Sequence, residues 1–169
     1  MIDSDSTEAA QNGDSIQDQY LTFKMGQEEF GLEIKHIIEI IGMQTINRVP
    51  DMPDFMVGVI NLRGKVIPVL DMRRRFHLPV RDHDNRTCII VVDIENVFVG
   101  LLVDQVSEVI EIKKQDIEPL RAGKLGGNRY LQGLGKIGQQ VKILLDARQI
   151  VGSDLLGTLK DDTETAHIQ

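Results

Sequence analysis

The sequence predicts an all-β protein made of two tandem barrels of about five strands each, with minor helix and disordered acidic tails. Two observations support this fold class: many short apolar runs are separated by Gly, Asn and Asp, and these runs repeat along the chain. Only 4% of the 169 residues are aromatic whereas 41% are hydrophobic, so Val, Ile and Leu must build the cores. Half a chain of this size buries little core as an open sheet, and closing it into a barrel removes the exposed edges.

The individual strands are indicated by their apolar runs. In YLTFKM, apolar and polar residues alternate over half of the run, as in a strand. The runs CIIVV, VFVGLLV and VKILL are almost wholly apolar, so their periodicity does not identify the element. Their β-branched residues and the turn residues that flank them favour strands. VINLRGKVIPVLD, residues 59–71, is typical of a hairpin; Pro68 cannot donate a ladder hydrogen bond, which predicts an edge or bulged strand. Helix is expected as one turn after Pro53 and in DARQIVGSDLLGTL. Residues 1–18 and the stretch from residue 160 are polar and acidic, and we expect them to be disordered.

An internal repeat divides the chain into two similar halves. Residues 20–41 align with 89–110, and residues 58–73 align with 133–148. The aligned identities, in chain order, are Gly31 with Gly100, Leu32 with Leu101, Glu39 with Glu108, Ile41 with Ile110, Gly58 with Gly133, Val66 with Val141, Leu70 with Leu145, Asp71 with Asp146 and Arg73 with Arg148. We therefore expect two equivalent barrels in which these pairs occupy matching positions.

Composition and charge restrict the possible partners. The net charge of −7 argues against nucleic acid or an anionic membrane as the main partner. The basic cluster Arg73-Arg74-Arg75 is interpreted as a solvated strand end, with phosphate binding as the alternative. The N-terminus resembles no signal peptide, and no apolar run approaches the length of a membrane span. The single Cys88 suits a reducing cytoplasm, where it is expected to be a small buried hydrophobe.

No motif in the sequence forms a convincing catalytic or cofactor site. GLGKIG, residues 133–138, has the literal glycine pattern of a dinucleotide-binding loop, but a strand rather than a helix is predicted to follow it. The four histidines do not pair at metal-ligand spacing with one another or with Cys88. We therefore expect a binding protein rather than an enzyme, with no metal and no cofactor.

Several segments resemble one known family in order and spacing. GVINLRGKVIPVLDMRRRF resembles the signature hairpin of CheW, the bacterial chemotaxis coupling family, and EFGLEIKHIIEI, VFVGLLVDQVSEV and YLQGLGKIGQQVKILLD match the same pattern. The resemblance covers residues 19–151 and implies two SH3-like barrels of five strands. It places the barrel subdomains at about 19–81 and 86–151, with possible strand exchange, before a C-terminal helix end and tail at 152–169.

The resemblance also implies a function and a set of partners. Members of the family join the cytoplasmic tips of methyl-accepting chemoreceptors to the histidine kinase CheA without catalysis, in rings built with the kinase's similar regulatory domain. We therefore expect a cytoplasmic adaptor, recruited to the inner face of the membrane through the receptors and not inserted into it. The alternative from the fold class is a small β-barrel protein that binds nucleic acid; a nucleotide-using enzyme is a third reading.

Site residues follow from the resemblance position by position. It implies a receptor groove between the barrels, formed by Ile37, Glu39, Gly58, Asn61, Arg63, Cys88, Ile89, Gly100 and Val109. Kinase or ring contacts would involve Ile34, Ile117, Glu118, Leu120 and Arg121. Gly123 stands where the family commonly has an aromatic residue. Glu39 and Arg63 are expected to serve the receptor surface, and Lys65 to solvate the turn.

Overall fold

The computed structural model describes residues 16–119 and 129–168, with side chains as far as residue 160. The strands of this part are β1 Gln19–Met25, β2 Glu28–Glu33, β3 Ile37–Gly42, β4 Met56–Leu62, β5 Lys65–Asp71, β6 Cys88–Ile94, β7 Val97–Val103, β8 Gln105–Glu111, β9 Ile117–Pro119, β10 Leu131–Ile137 and β11 Gln140–Leu145. The helices are α1 Met72–Arg75, α2 Ala147–Val151 and α3 Ser153–Ile168, and short 3-10 turns cover Ile34–His36 and Lys114–Asp116.

Two sheets form the molecule, and each combines strands from both halves of the chain. The six-stranded sheet has the order β8-β1-β2-β11-β10-β9, and the five-stranded sheet has the order β3-β6-β7-β5-β4. The joins between halves include the parallel pairs β2–β11 and β5–β7. The predicted all-β fold of two barrel-like units with minor helix is confirmed. The bounds 19–81 and 86–151 stay a prediction, but neither stretch completes a sheet by itself.

The strand register confirms the internal repeat. Gly31 in β2 pairs with Leu144 in β11, and Gly100 in β7 pairs with Val69 in β5. Leu144 and Val69 are themselves aligned by the repeat, so the two glycines occupy matching positions. A side chain at either glycine would collide with a neighbour, since a β-carbon would lie 2.8 Å from Leu144 or 2.7 Å from Ile89. The repeated glycines therefore permit close packing within each sheet.

The repeated Leu-Asp-x-Arg segments end each half in the same way. The Asp71 carboxylate accepts a hydrogen bond from the Arg73 backbone N–H at 2.9 Å, and the Asp146 carboxylate accepts one from the Arg148 N–H at 3.0 Å. Each aspartate thereby caps the short helix that follows it, α1 or α2. This equivalence was expected from the alignment.

Apolar side chains form one large cluster between the sheets and a smaller one within each. The large cluster includes Phe23 and Leu32 of the six-stranded sheet and Leu70 and Ile90 of the five-stranded sheet. Ile89, next to Ile90 in β6, belongs to a separate cluster of the five-stranded sheet. Both faces of β6 are therefore buried, which explains its uninterrupted apolar run.

Pro68 does not lie in an edge strand, so that expectation is wrong. β5 lies between β7 and β4, and Pro68 faces Val59 of β4. The pairing between β5 and β7 begins only at Val69, one residue later. Pro68 is tolerated because no ladder bond to β7 is needed at its position. The nearby bulge lies in β4, between Met56 and Gly58.

The arginine cluster is not a solvated strand end. Arg73, Arg74 and Arg75 form the helical turn α1, and Arg75 is buried with only 8% of its surface exposed. Its Nε donates to the carbonyl oxygen of Ile150 at 2.7 Å. The sequence interpretation failed because burial of an arginine depends on elements that are distant in the chain.

The C-terminal helix continues beyond the expected start of the tail at residue 160. Its backbone is helical to Ile168. Leu155, Leu156 and Leu159 anchor its first half in the large apolar cluster. Propagation from an anchored helix costs far less than nucleation, which accounts for the extension.

Asp104 joins the two sheets where the chain crosses between them, as the residue between β7 and β8. Its Oδ1 accepts from Arg73 Nε at 2.8 Å, and its Oδ2 accepts from Arg73 Nη2 at 2.6 Å. Oδ2 also accepts from the Gly26 N–H at 2.8 Å. Arg73 follows the five-stranded sheet and Gly26 lies in the β1–β2 turn of the other sheet. Burial alone would raise the pKa of Asp104, but these hydrogen bonds hold the pKa below its usual range.

We predict that Asp104→Ala destabilises the protein by about 3–5 kcal/mol, because it leaves the largely buried Arg73 guanidinium unpaired. Denaturant unfolding measures this loss. The exposed Asp116→Ala is the control and should change stability by less than about 0.5 kcal/mol. Since the native pKa of Asp104 is lowered, its contribution is complete above the unfolded-state pKa and is lost as pH falls through the native pKa. Equal stability of the two variants would contradict the assigned role.

The repeat yields a second prediction, that Leu70→Ala and Leu145→Ala are equivalent core truncations. Both leucines are buried in the large cluster, and each loss should cost about 2–5 kcal/mol of unfolding free energy. Val66→Ala and Val141→Ala, in the same two strands but largely exposed, provide matched controls with little expected change. A large loss at only one of the two leucines would show that the halves do not contribute equivalently.

Candidate functional site

The groove candidates are spread over both sheets, and eight of the nine lie on the five-stranded one. They are Ile37 and Glu39 in β3, Gly58 and Asn61 in β4, Arg63 in the β4–β5 turn, Cys88 and Ile89 in β6, Gly100 in β7, and Val109 in β8 of the other sheet. The structure brings two pairs into direct proximity: Glu39 with Arg63, and Ile89 with Gly100. The Glu39–Arg63 pair lies at the surface, whereas the Ile89–Gly100 contact is buried.

Arg63 occupies a backbone conformation that suits glycine. In the β4–β5 turn, Arg63 has a φ of 51° and Gly64 a φ of 86°. The Asn61 side-chain oxygen accepts the Gly64 N–H at 2.9 Å and so stabilises the turn. In the matching turn of the other half the repeat places Gly138, with a φ of 58°. Arg63 is therefore present where the turn itself would be less strained with glycine, which points to a role for its side chain.

The Arg63 side chain forms a two-pronged ion pair with Glu39. Nη1 donates to Oε1 at 2.6 Å, and Nη2 donates to Oε2 at 2.8 Å. The Arg63 side chain is 73% exposed and that of Glu39 is 22% exposed. The hydrogen bond from Arg63 is the main reason that the pKa of Glu39 is lowered, and the same bond raises the pKa of Arg63. The pair thus fixes a guanidinium at the surface in one orientation.

The Glu39–Arg63 pair spans the outer strands β3 and β4 of the five-stranded sheet. The six-stranded sheet carries Glu108 and Gly138 at the matching positions, and no ion pair of Glu108 is found within the described part of the chain. One barrel-like unit therefore forms without such a pair. Sheet closure alone does not explain why the other unit has it.

Lys65 does more than solvate the turn. Its Nζ lies 4.3 Å from the centroid of the Phe98 ring, a cation–π contact between β5 and β7. The expectation that Lys65 serves only solvation is wrong, because a cross-strand neighbour on the same face was not visible in the sequence.

Three other candidates occupy positions dictated by packing. Ile89 has no exposed surface, and a β-carbon on Gly100 would lie 2.7 Å from its Cγ2. Gly58 has a φ of 151°, and a β-carbon there would lie 2.3 Å from the carbonyl oxygen of Asn47. These residues shape the sheet beneath the surface, whereas the exposed Arg63 lies on it.

Cys88, Ile37 and Val109 are the apolar groove candidates that are not fully buried. Ile37 and Cys88 are partly buried and pack against the large apolar cluster, while Val109 is half exposed. Burial raises the pKa of the Cys88 thiol, and a hydrogen bond with the backbone of Val106 opposes this only in part. Cys88 therefore lies where β6 approaches β8, as a neutral thiol with the character of a small hydrophobe.

Two exposed isoleucines beside Glu39 escaped the sequence analysis. Ile38 and Ile40 in β3 are 43% and 44% exposed. The run IIEII indicated an apolar strand. However, β3 is an outer strand, and the side chains on one of its two faces are exposed. Because successive side chains of a strand point to opposite faces, these isoleucines are exposed on the face of β3 opposite to that of Glu39. The feature of the sequence that could have indicated these residues is an apolar run interrupted by one charged residue.

The kinase or ring candidates that the structure describes lie in the turn after β2 and in β9. Ile34 begins a 3-10 turn after β2 and packs against the large cluster. Ile117 and Glu118 lie in the outer strand β9, where the Glu118 carboxylate is 3.6 Å from Lys136 Nζ. Leu120 and Arg121, like Gly123, fall outside the described residues.

Other potential sites can be placed as well. GLGKIG lies in β10 and the turn before β11, so the strand expected after this motif is confirmed. Within residues 16–119 and 129–168, no group of three or more His, Cys, Asp or Glu side chains is arranged to hold a metal ion. No helix of the described chain is long and apolar enough to cross a membrane.

Comparison with known proteins finds similarity over nearly the whole fold. A model of the CheW-like domain matches residues 19–155. The chemotaxis protein CheW of Klebsiella aerogenes is 33% identical over 156 residues, covering 92% of this chain and 93% of that protein. CheW of Helicobacter pylori is 32% identical over 136 residues, covering 80% and 82%. The crystal structure of the scaffolding protein TtCheW from Thermoanaerobacter tengcongensis has a TM-score of 0.75 and 31% identity, covering 82% of this chain and 95% of that one.

We predict that Arg63→Gln raises the pKa of Glu39 toward its ordinary value, because the main hydrogen bond to the carboxylate is lost. Carboxyl NMR titration measures this change. The lowered native pKa stabilises the fold above the unfolded-state pKa, and this contribution is lost as pH falls through the native pKa. Because the pair is solvent-exposed, the melting temperature at neutral pH should barely change. Lys65→Gln is the control and should leave the Glu39 pKa low; an ordinary pKa in the unmodified protein would refute the pair.

Proposed function

The chain belongs to the CheW-like domain family, and on that basis we propose that it is a non-catalytic adaptor coupling chemoreceptors to the histidine kinase CheA. The observation that carries the proposal is that the family match includes every strand of both sheets. Because a fold does not by itself imply a function, the surfaces of this domain must carry the adaptor role. In this proposal the protein acts in the cytoplasm and reaches the inner face of the membrane through the receptors.

The receptor surface that we propose combines an apolar floor with one fixed charge. Ile37 and Cys88 provide partly buried apolar area, and Val109 adds exposed area from the neighbouring sheet. Glu39 holds the Arg63 guanidinium at the surface. A helical partner, such as the hairpin tip of a receptor, binds by placing apolar side chains in such a groove and a polar one against the charge.

Arg63 is the residue through which this surface gains specificity. Its bidentate bond to Glu39 lowers the entropy lost when a partner orders the side chain, because the guanidinium is already oriented. The strained turn conformation and the glycine at the matching position of the other half support a role beyond folding. Ile89, Gly58 and Gly100 keep the underlying strands closely packed.

The kinase and ring contacts that we propose involve a second set of residues. Ile34 lies after β2, and Ile117, Glu118, Leu120 and Arg121 belong to the β9 region and the segment that follows it. A chain with two similar but unequal barrels presents two different ends, and head-to-tail contacts between unlike ends close into rings when the rotation permits. The duplicated architecture therefore suits an adaptor that alternates with a related domain.

The proposal predicts separate effects of two charge reversals. Arg63→Asp should lower affinity for a receptor cytoplasmic fragment roughly tenfold or more, because a charge-assisted contact becomes repulsive. It should leave CheA binding and the melting temperature nearly unchanged. Arg121→Asp, the matched reversal in the other candidate surface, should weaken binding to CheA while receptor binding persists. Titration with each purified partner measures both affinities.

The controls distinguish a wrong site from a wrong function. Unmodified protein that binds neither the receptor fragment nor the kinase would refute the adaptor function. Normal receptor binding by folded Arg63→Asp protein would refute only the assignment of Arg63. Ile89→Ala is expected to reduce stability and affinity together, since Ile89 is buried in the core of the five-stranded sheet.

A further inference from the structure

A recess lies where α1, the start of β4 and the α2–α3 junction meet. It is a cavity of about 480 Å³ whose lining includes Phe55, Arg75, Arg129, Gly152, Ser153 and Asp154. None of the receptor or kinase candidates that the structure describes contributes to its lining. Its size is within the range of small-molecule sites, far above that of a single water.

Arg75 is the central cation of this cavity. It is 8% exposed, its Nε donates to the Ile150 carbonyl, and its guanidinium lies 3.9 Å from the Phe55 ring and 5.0 Å from the Tyr130 ring. No carboxylate forms an ion pair with Arg75 among the described side chains, although Arg73, in the same helical turn, pairs with one. Burial lowers the pKa of Arg75 from its usual value. An anion beside a buried guanidinium that has no ion-pair partner offsets the free-energy cost of its desolvation.

Gly152 brings a helix terminus next to that guanidinium. Arg75 Nη2 lies 3.2 Å from the position that a β-carbon on Gly152 would take, and the φ of Gly152 is 88°. The first backbone bond of the 16-residue helix α3 runs from the Leu156 N–H to the Gly152 carbonyl. The N–H groups of residues 153–155 therefore precede the hydrogen-bonded ladder of the helix and can bind an anion.

The charged groups around the cavity have both signs. Arg129 is exposed, forms no ion pair within the described chain and lies 5.5 Å from the Tyr130 ring. Asp51 and Asp154 also line the cavity and are exposed, so they oppose an anion at its rim. Attraction from the buried Arg75 and from the helix terminus acts closest to the interior, whereas solvent screens Arg129 and the two carboxylates at the rim.

We propose that this cavity binds the phosphoryl group of a small molecule, at a site separate from the adaptor surfaces. A tetrahedral phosphate presents enough oxygens to accept from the Arg75 terminal nitrogens, from Arg129 and from the first N–H groups of α3 together, whereas a carboxylate presents only two. Phe55 and the neighbouring apolar wall leave room for an organic portion of the ligand. Occupancy would strengthen the junction between α1 and the C-terminal helices.

Titration of the full chain with inorganic phosphate, followed by phosphorus NMR and thermal melting, tests the proposal against chloride at equal ionic strength. Arg129→Gln should weaken phosphate binding about tenfold, because one charge-assisted contact is lost. Asp154→Asn should strengthen it about two- to fivefold by removing a negative charge at the rim. Arg129 is exposed, so Arg129→Gln should hardly change melting without phosphate, whereas Asp154→Asn should lower it slightly because Asp154 lies in the first turn of α3. Arg86→Gln, an exposed arginine outside the cavity, is the matched control and should bind as the unmodified protein does.

Three results would overturn the site. The first is a phosphate response no larger than that of chloride. The second is equal weakening by Arg129→Gln and Arg86→Gln, which would indicate general charge screening. The third is binding of malonate but not of phosphate, which would exclude a phosphoryl ligand. None of these results bears on the adaptor function, which is tested with other partners and other residues.

Discussion

The carboxylate of Asp104 fixes the point at which the chain leaves one sheet for the other, and the rest of the architecture depends on that crossing. It receives two hydrogen bonds from Arg73 and one from the Gly26 N–H, which lie on opposite sides of the junction. Each sheet is built from strands of both halves, so a shift at the crossing would disturb both. Because the group is buried, its desolvation must be offset by this full set of partners, and loss of any partner costs more than a surface pair would.

Strand exchange also explains where the core lies. The largest apolar cluster fills the space between the sheets instead of the interior of either one. Within that seam the rings of Phe23, Phe30, Phe76 and Tyr130 follow one another at centroid distances of 5.9, 5.5 and 5.5 Å. The Arg75 guanidinium stacks at the end of this series. In a chain with few aromatics, these ring contacts join residues of both halves at the seam.

The candidate receptor surface is supported by closely packed residues of the five-stranded sheet. Of the residues suggested by family resemblance, Ile89, Gly58 and Gly100 are held by packing, while Glu39 and Arg63 form an exposed, oriented pair. Resemblance identifies which positions matter in a family, but it does not separate a residue that touches a partner from one that supports it. Burial and backbone conformation make that separation, and they direct attention to Arg63.

The sequence alone determined the strands, the repeat and the equivalent positions, because these follow from local patterns of apolar residues and turn-forming glycines. Gly31 and Gly100 could be matched from the alignment because they recur in similar local patterns, although the side chains they make room for, Leu144 and Ile89, lie in other strands. Which half completes which sheet was decided only in the tertiary structure, since alternation along a strand carries no information about its distant partner. The internal position of Pro68 and the burial of Arg75 were missed for the same reason: each depends on elements far apart in the chain that meet only when it folds.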